Sequence, residues 1–247
     1  MIILKSEREI EIIKKNGKIV AETLKLLGEK IKPGVKTMEL DRMAEEFIKK
    51  NQAVPAFKGY KGYPANICVS IDDEVVHGIP SERVIQAGEI VSVDIGVYKD
   101  GYYADGAYTF KISEVSKEAD KLCEVTLECL NKGIEKAREG QRLLDISWAI
   151  QSQAESKGFS VVRDLVGHGI GQKMHEEPQI PNFGKPGEGP VLKKGMVFAV
   201  EPMINAGGWE VKLKKDGWTI LTQDGSLSAH FEHTIAITEN DALILTV

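Results

Sequence analysis

The sequence predicts an α+β fold in which one helix-helix-sheet unit occurs twice, and three observations carry that prediction. Two amphipathic helices are followed by strand-like segments, and after Lys111 the same order returns. Setting Gly34 against Gly140 brings Leu40 onto Ile146, so the two units match in rough length as well as order. Carboxylates also interrupt the most apolar strand segments, at Asp94, Asp105, Glu201 and Glu232. Such groups are costly there unless paired, protonated or bound to metal. The expected organisation is a single domain over residues 1–247, with pseudo-repeats of about 1–111 and 112–247. One sheet built from both halves would carry a site at their junction. A chance match of helix lengths is the alternative.

Ser6 with Glu9 reads as a capping box, and Ile10, Ile13, Gly17, Val20, Leu24 and Leu27 continue it as an amphipathic helix. Lys32-Pro33-Gly34 stops that helix. Thr37 with Leu40 starts a second, whose buried stripe is expected from Met38, Met43, Phe47 and Ile48. The Gly-, Pro- and aromatic-rich run from Phe57 to Pro64 reads as a loop, followed by a short strand near Asn66 to Ser70 and by the segment Val75 to Pro80.

Ile90 to Tyr98 alternates with period two, so Val91, Val93, Ile95 and Val97 share one face and Ser92, Asp94 and Gly96 the other. Asp100-Gly101 is a two-residue hairpin signal, because a type I′ turn needs positive φ at both central positions. With that loop, Lys99 pairs with Tyr102, Gly96 faces Asp105, and Asp94 lies on the diagonal, within roughly 7–8 Å. Gly96 is expected to leave open space facing Asp105. On this segment alone, two solvated aspartates on an exposed face are the alternative.

The second unit predicts a helix over Glu118 to Arg138, with Leu122, Val125, Leu130 and Ile134 among its apolar positions, stopped by Gly140. A helix with Leu144, Ile146, Trp148 and Ile150 then runs to about Lys157-Gly158. Glycines flank His168 in Val166 to Gly171, and are expected to let the backbone approach whatever the imidazole binds. Met196 to Ile204 and His230 to Ile237 read as continuous strands carrying Glu201 and Glu232.

Composition narrows the function classes. A hydrophobic fraction of 42% beside 28% charged residues describes a soluble globular chain. A net charge of −5 without a basic run argues against nucleic acid as a partner. The first residues turn charged after four positions, which leaves no core for a secretory signal, and no apolar run could span a bilayer. Cys68, Cys123 and Cys129 have no metal-type spacing, and their odd number argues against a disulfide framework, so the reducing cytosol is the expected compartment.

Collected, Asp94, Asp105, His168, Glu201 and Glu232 carry about four negative charges, which two divalent cations would neutralise. One imidazole among oxygens suits Mn, Fe, Co or Zn. Two such ions about 3.5–4 Å apart could share a bridging hydroxide as nucleophile and polarise a carbonyl, a hydrolytic layout. The residues alone lead no further.

These five positions, the hairpin VDIGVYKDGYYAD and the segments GHGIGxxxHEEP, FAVEPM and FEHTIAI resemble the type I methionine aminopeptidases, metallopeptidases of the pita-bread fold. The resemblance covers nearly the whole chain. It implies a dinuclear centre with Asp94 bidentate to one metal, Asp105 and Glu232 bridging, and His168 and Glu201 completing the other. It implies removal of the initiator methionine from nascent chains with a small second residue, the bridging hydroxide attacking the scissile carbonyl. Glu201 would accept and return the proton, with His77 and His175 contacting the substrate or tetrahedral centre. Tyr60, Tyr63, Cys68, Met174, Met203 and Trp218 match positions around the methionine side chain. Phe57 and Met174 differ in volume from the residues of some relatives, and Ala104 departs from positions before the second aspartate. The implied partners are peptide N-termini and, transiently, the ribosome, for a monomer in the cytoplasm.

Several residues keep plainer readings. His230 and His233 read as structural, Cys123 and Cys129 as buried small hydrophobes, and Glu176 and Glu177 as groups that cap or solvate the turn before Pro178. His77 taken alone is equally a structural histidine. Among whole-chain alternatives, an Xaa-Pro peptidase of this fold would carry a domain ahead of the catalytic unit, whereas fewer than a hundred residues precede Asp94. A type II enzyme would need a helical insertion between Glu201 and Glu232, and the eukaryotic finger extension is not expected here. A non-catalytic binding protein on this fold would have lost metal ligands, and all five are present.

Overall fold

A computed structural model describes all 247 residues. Helix α1 spans Glu7–Lys30 and begins with the expected reciprocal cap between Ser6 and Glu9. It buries Ile13, Gly17, Val20 and Leu27. Gly17 is small for a reason: a Cβ there would lie 2.7 Å from the carbonyl carbon of Leu245. Helix α2, Thr37–Lys50, is capped at the Lys36 N–H by the Glu39 carboxylate, 2.9 Å away. The Thr37 hydroxyl instead donates to the Ser81 carbonyl and accepts from the Ser81 N–H. The buried ridge of α2 is Leu40, Ala44 and Ile48, four residues apart. Met38, Met43 and Phe47 flank it half-buried, which corrects the expected stripe.

Strands β1, Cys68–Ile71, β2, Ile90–Lys99, and β3, Tyr102–Lys111, follow. The β2–β3 hairpin turns at Asp100 and Gly101, with φ of 51° and 84°, as a two-residue loop requires. Lys99 therefore pairs with Tyr102 and Gly96 with Asp105, in the register expected. Val91, Val93, Ile95, Val97 and Ala104 pack into a core with the buried ridges of α1 and α2, leaving Asp94 and Asp105 on the opposite face.

Helix α3, Lys117–Lys136, buries Leu122, Val125, Cys123, Cys129, Leu130 and Ile134, and ends before Arg138 because the Ala137 N–H bonds back to Ile134. Helix α4, Leu143–Ser156, buries Leu143, Ile146, Ala149, Ile150 and Ala154. Trp148 is 43% exposed, so it is no part of that face. Strands β4, Val166–Gly169, and β5, Glu176–Pro181, form a pair, joined by β6, Val197–Val200. A second core lies under α3 and α4.

Both of the last long strands are broken, where the alternation predicts continuous ones. β6 stops at Val200 and the chain resumes as β7, Met203–Asn205; β8, Ser228–His230, stops before Phe231 and resumes as β9, Glu232–Ala236. Pro202 has no N–H to continue a ladder, and its carbonyl accepts from the Phe231 N–H. β6 and β9 pair in a nine-stranded sheet with the hairpin, while β7 and β8 pair in a three-stranded one. Glu201 and Glu232 sit where the two strands change sheets. Beyond β9 the chain returns, the Leu245 N–H donating to Thr234 and the Thr246 hydroxyl bonding His233 Nδ1.

Candidate metal centre

Asp94, Asp105, His168, Glu201 and Glu232 line one cavity of about 310 Å³. Ligand atoms of Asp105, His168 and Glu232 lie within 4.8 Å of one another, and His168 Nε2 is 3.5 Å from Glu201 Oε1. The hairpin supplies the two aspartates, β4 the imidazole, and the two sheet crossings the glutamates. Thr234 fixes Asp105 from β9, its hydroxyl donating to the Asp105 carbonyl and accepting from the Asp105 N–H.

Three local expectations are corrected. The space left by Gly96 is filled, since a Cβ there would meet the Phe57 ring at 2.5 Å and Met174 Cε at 2.8 Å. Met174 is buried in the α1–α2 core and does not line the cavity. The glycines beside His168 admit neighbouring strands rather than a ligand. A Cβ on Gly167 would lie 2.5 Å from the Ala199 carbonyl oxygen, and one on Gly169 would collide with the Glu177 backbone.

The electrostatics favour a cation. Burial, the largest cause, pushes Asp94 up to about 7. Burial followed by repulsion from Asp94 raises Asp105 and Glu201 well above the usual carboxyl range. For Glu232 the causes are burial and then Asp105. Asp94 Oδ1 and Glu232 Oε1 are buried without a hydrogen-bond partner. Burial takes His168 down to about 4, so its imidazole is neutral. Its Nδ1 lies 2.9 Å from the Gly169 carbonyl; with the proton there, the Nε2 lone pair points to the carboxylates. Orphaned carboxylate oxygens beside an oriented neutral imidazole fit hard or borderline divalent ions.

Two more histidines face the same space. His77 has φ of 60°, an uncommon left-handed backbone for a side-chain-bearing residue. The next residue holds it there: the Gly78 N–H donates to Ser70 Oγ, and its carbonyl accepts from the Tyr63 hydroxyl and the Val69 N–H. His175 stacks on Tyr60, ring centroids 5.3 Å apart, with Nδ1 2.9 Å from the tyrosine hydroxyl. Burial lowers the pKa of His77 and takes His175 down to about 3.

Phe57, Tyr60, Tyr63, Cys68, Met203 and Trp218 form an apolar wall, with Tyr63 edge-on to Trp218 at 5.2 Å. Val76, Leu165, Val166, Asp164 and Lys61 also line the cavity, and sequence reasoning did not single them out for a site. The run from Asp164 to Val166 leads directly into Gly167-His168, and that adjacency was the available signal. His230 is 2% exposed with Nε2 unpartnered, 4.0 Å from Glu201 Oε2, whereas His233 points away to Thr246.

Comparison with known proteins supplies an independent line. Residues 11–239 match metallopeptidase family M24. A methionine aminopeptidase from Clostridium perfringens is 55% identical over 247 residues, covering 100% of this chain and 99% of that protein. The crystal structure of a methionine aminopeptidase from Thermotoga maritima superposes with a TM-score of 0.98 at 50% identity, covering 100% and 99% of the two chains. A prolidase from Pyrococcus furiosus gives a TM-score of 0.80 at 26% identity; 99% of this chain matches 65% of it.

Proposed function

The chain belongs to metallopeptidase family M24, and from that premise we infer that it is a metal-dependent aminopeptidase releasing methionine from peptide N-termini. The observation that carries the reading is the convergence of four carboxylates, Asp105 and Glu232 buried and Asp94 and Glu201 partly so, and a neutral imidazole on a cavity whose other wall is aromatic and sulfur-bearing. The full-length likeness to methionine aminopeptidases supports it, and the prolidase likeness is weaker at every measure.

Asp94, Asp105, His168, Glu201 and Glu232 would hold two divalent ions, from among Mn, Fe, Co and Zn. Such ions supply Lewis-acid polarisation of the scissile carbonyl and water acidified enough to act near neutral pH. Glu201 would accept a proton from the attacking water and pass it to the leaving amine. His77 and His175, neutral at pH 7, offer N–H donors to the oxygen on which charge develops. Tyr63, Cys68, Met203 and Trp218 receive a thioether side chain through dispersion contacts with soft, polarisable surface. A small second residue is the accompanying preference.

We extend the reading to residues 1–247 as one catalytic domain with pseudo-repeats of about 1–111 and 112–247. It would act as a cytoplasmic monomer on nascent chains, with transient ribosome contact and no direct nucleic-acid binding. No helix is long and apolar enough to cross a membrane. The deciding experiment compares hydrolysis of Met-Ala-Ser, Ala-Pro and a Leu-peptide after chelation and after single metals are restored. Methionine release that vanishes with chelation and returns with a metal is the expected result. Chelator-insensitive cleavage, or a preference for Ala-Pro, overturns the assignment.

A further inference from the structure

Lys5 lies just ahead of α1, yet its side chain is 3% exposed and its Nζ lies 2.5 Å from Glu176 Oε2, on a side chain 5% exposed. Burying two charges costs desolvation that their attraction barely repays, so such a pair is a weak source of stability. Its geometry is closely determined from both sides. The Lys5 N–H donates to the Gly195 carbonyl at 2.7 Å, and Nζ also donates to the Ile3 carbonyl at 3.2 Å. Gly171 makes room for the lysine, because a Cβ there would lie 2.5 Å from Lys5 Cε.

Glu176 in turn closes the connection that carries His175. It stands opposite Gly169 in the β4–β5 pairing, and its Oε1 accepts from the Lys173 N–H at 3.1 Å. The connection between those strands is thereby tied at its far end to Lys5. His175 is the residue before Glu176, and its ring has a single hydrogen-bond partner, Tyr60. His175, Lys5 and Glu176 also line one polar cavity of about 700 Å³ that adjoins the metal centre and shares His168 with it.

We propose that Lys5 is a positioning residue that acts through Glu176 to hold the His175 imidazole in its working place. The inference rests on the aminopeptidase reading above. A displacement of about 1 Å in a group that meets the reacting atoms can cost on the order of a hundredfold in rate; about tenfold is expected here, because Tyr60 still holds the ring.

The test measures kcat and KM for Met-Ala-Ser with Lys5→Met and Glu176→Gln, each alone and combined with His175→Ala, all loaded with the same metal. Each variant should lose about tenfold in kcat with metal content unchanged, and the loss should shrink below about twofold once His175 is absent. A loss of equal size in both backgrounds, or no loss, overturns the proposal. If Lys5→Met does not fold, Glu176→Gln and the charge-neutral double variant decide between these outcomes. Where His175→Ala leaves too little turnover, the His175 imidazole resonances of the metal-free protein decide: they shift in the Lys5 and Glu176 variants or the proposal fails. Wild type that releases no methionine would instead overturn the aminopeptidase reading, independently of Lys5.

Discussion

Asp105 shows most clearly what a candidate ligand costs its own fold. It is buried beside Asp94, raised far from its ordinary pKa by burial and that neighbour, and its backbone is clamped by Thr234. Asp105→Ala should therefore abolish methionine release, by at least about a thousandfold, while the metal-free variant melts no lower than metal-free wild type, since a carboxyl buried beside other carboxylates is a liability whether it ionises or takes up a proton. Turnover of Met-Ala-Ser and calorimetry of the chelated proteins check the two halves of that statement; surviving activity would remove Asp105 from the centre. Four of the five candidate ligands were legible in the sequence because carboxylates stand out inside apolar runs, and His168 because glycines flank it. The left-handed backbone of His77 and the occupied space beside Gly96 were not, because both depend on contacts made only in the folded chain: Ser70 and Tyr63 for one, Phe57 and Met174 for the other.

At the level of elements, the hairpin was readable to the residue because a two-residue turn fixes register, and register fixes which side chains share a face. The second-half strands were misread as continuous because alternation persists through Glu201-Pro202 and Phe231, and only pairing shows the chain moving to another sheet. Helix stripes were half right. Period identified α2 and α4, but which flank is buried depends on the partner surface, so Trp148 is exposed where Leu143 and Ala149 are buried. Helix α3 carries its own test. Burial pushes the thiols of Cys123 and Cys129 up to about 12, against about 8.5 in an unfolded chain. A pKa raised by folding contributes stability that is complete below the unfolded value and is lost as pH rises toward the folded one. Each thiol should thus withdraw about 2 kcal/mol by roughly pH 10. Urea denaturation from about pH 7 to 10 should show that decline, and the Cys123→Ala/Cys129→Ala variant should show a shallower one; identical slopes would mean the thiols ionise freely in the native state.

For the molecule as a whole, the candidate ligands are divided between the first and second halves of the chain. The first contributes Asp94 and Asp105 from one core; the second contributes His168, Glu201 and Glu232. A cation that binds only the folded arrangement should raise stability by about 2.7 kcal/mol at a hundred times its Kd. Thermal melting of chelated protein with added Mn or Co should rise with metal concentration accordingly, and in Asp105→Ala it should rise much less. A melting temperature indifferent to metal would show that the halves are held without it. The positions of the candidates along the chain already imply this division, but they could not show the wall from Asp164 to Val166, which arises only when the sheets meet.

The returning segment after β9 has a practical corollary. Leu245 lies against Gly17 of α1, Thr246 bonds the β9 backbone and His233, and the next residue along, Thr234, grips Asp105 on both sides. Breaking the contacts of Leu245 and Thr246 would touch nothing in the cavity, yet it would loosen the strand that anchors a candidate ligand and uncover Gly17 on the first helix. Damage to that segment would thus register as poor metal retention, a fault whose origin lies two contacts from where it is felt.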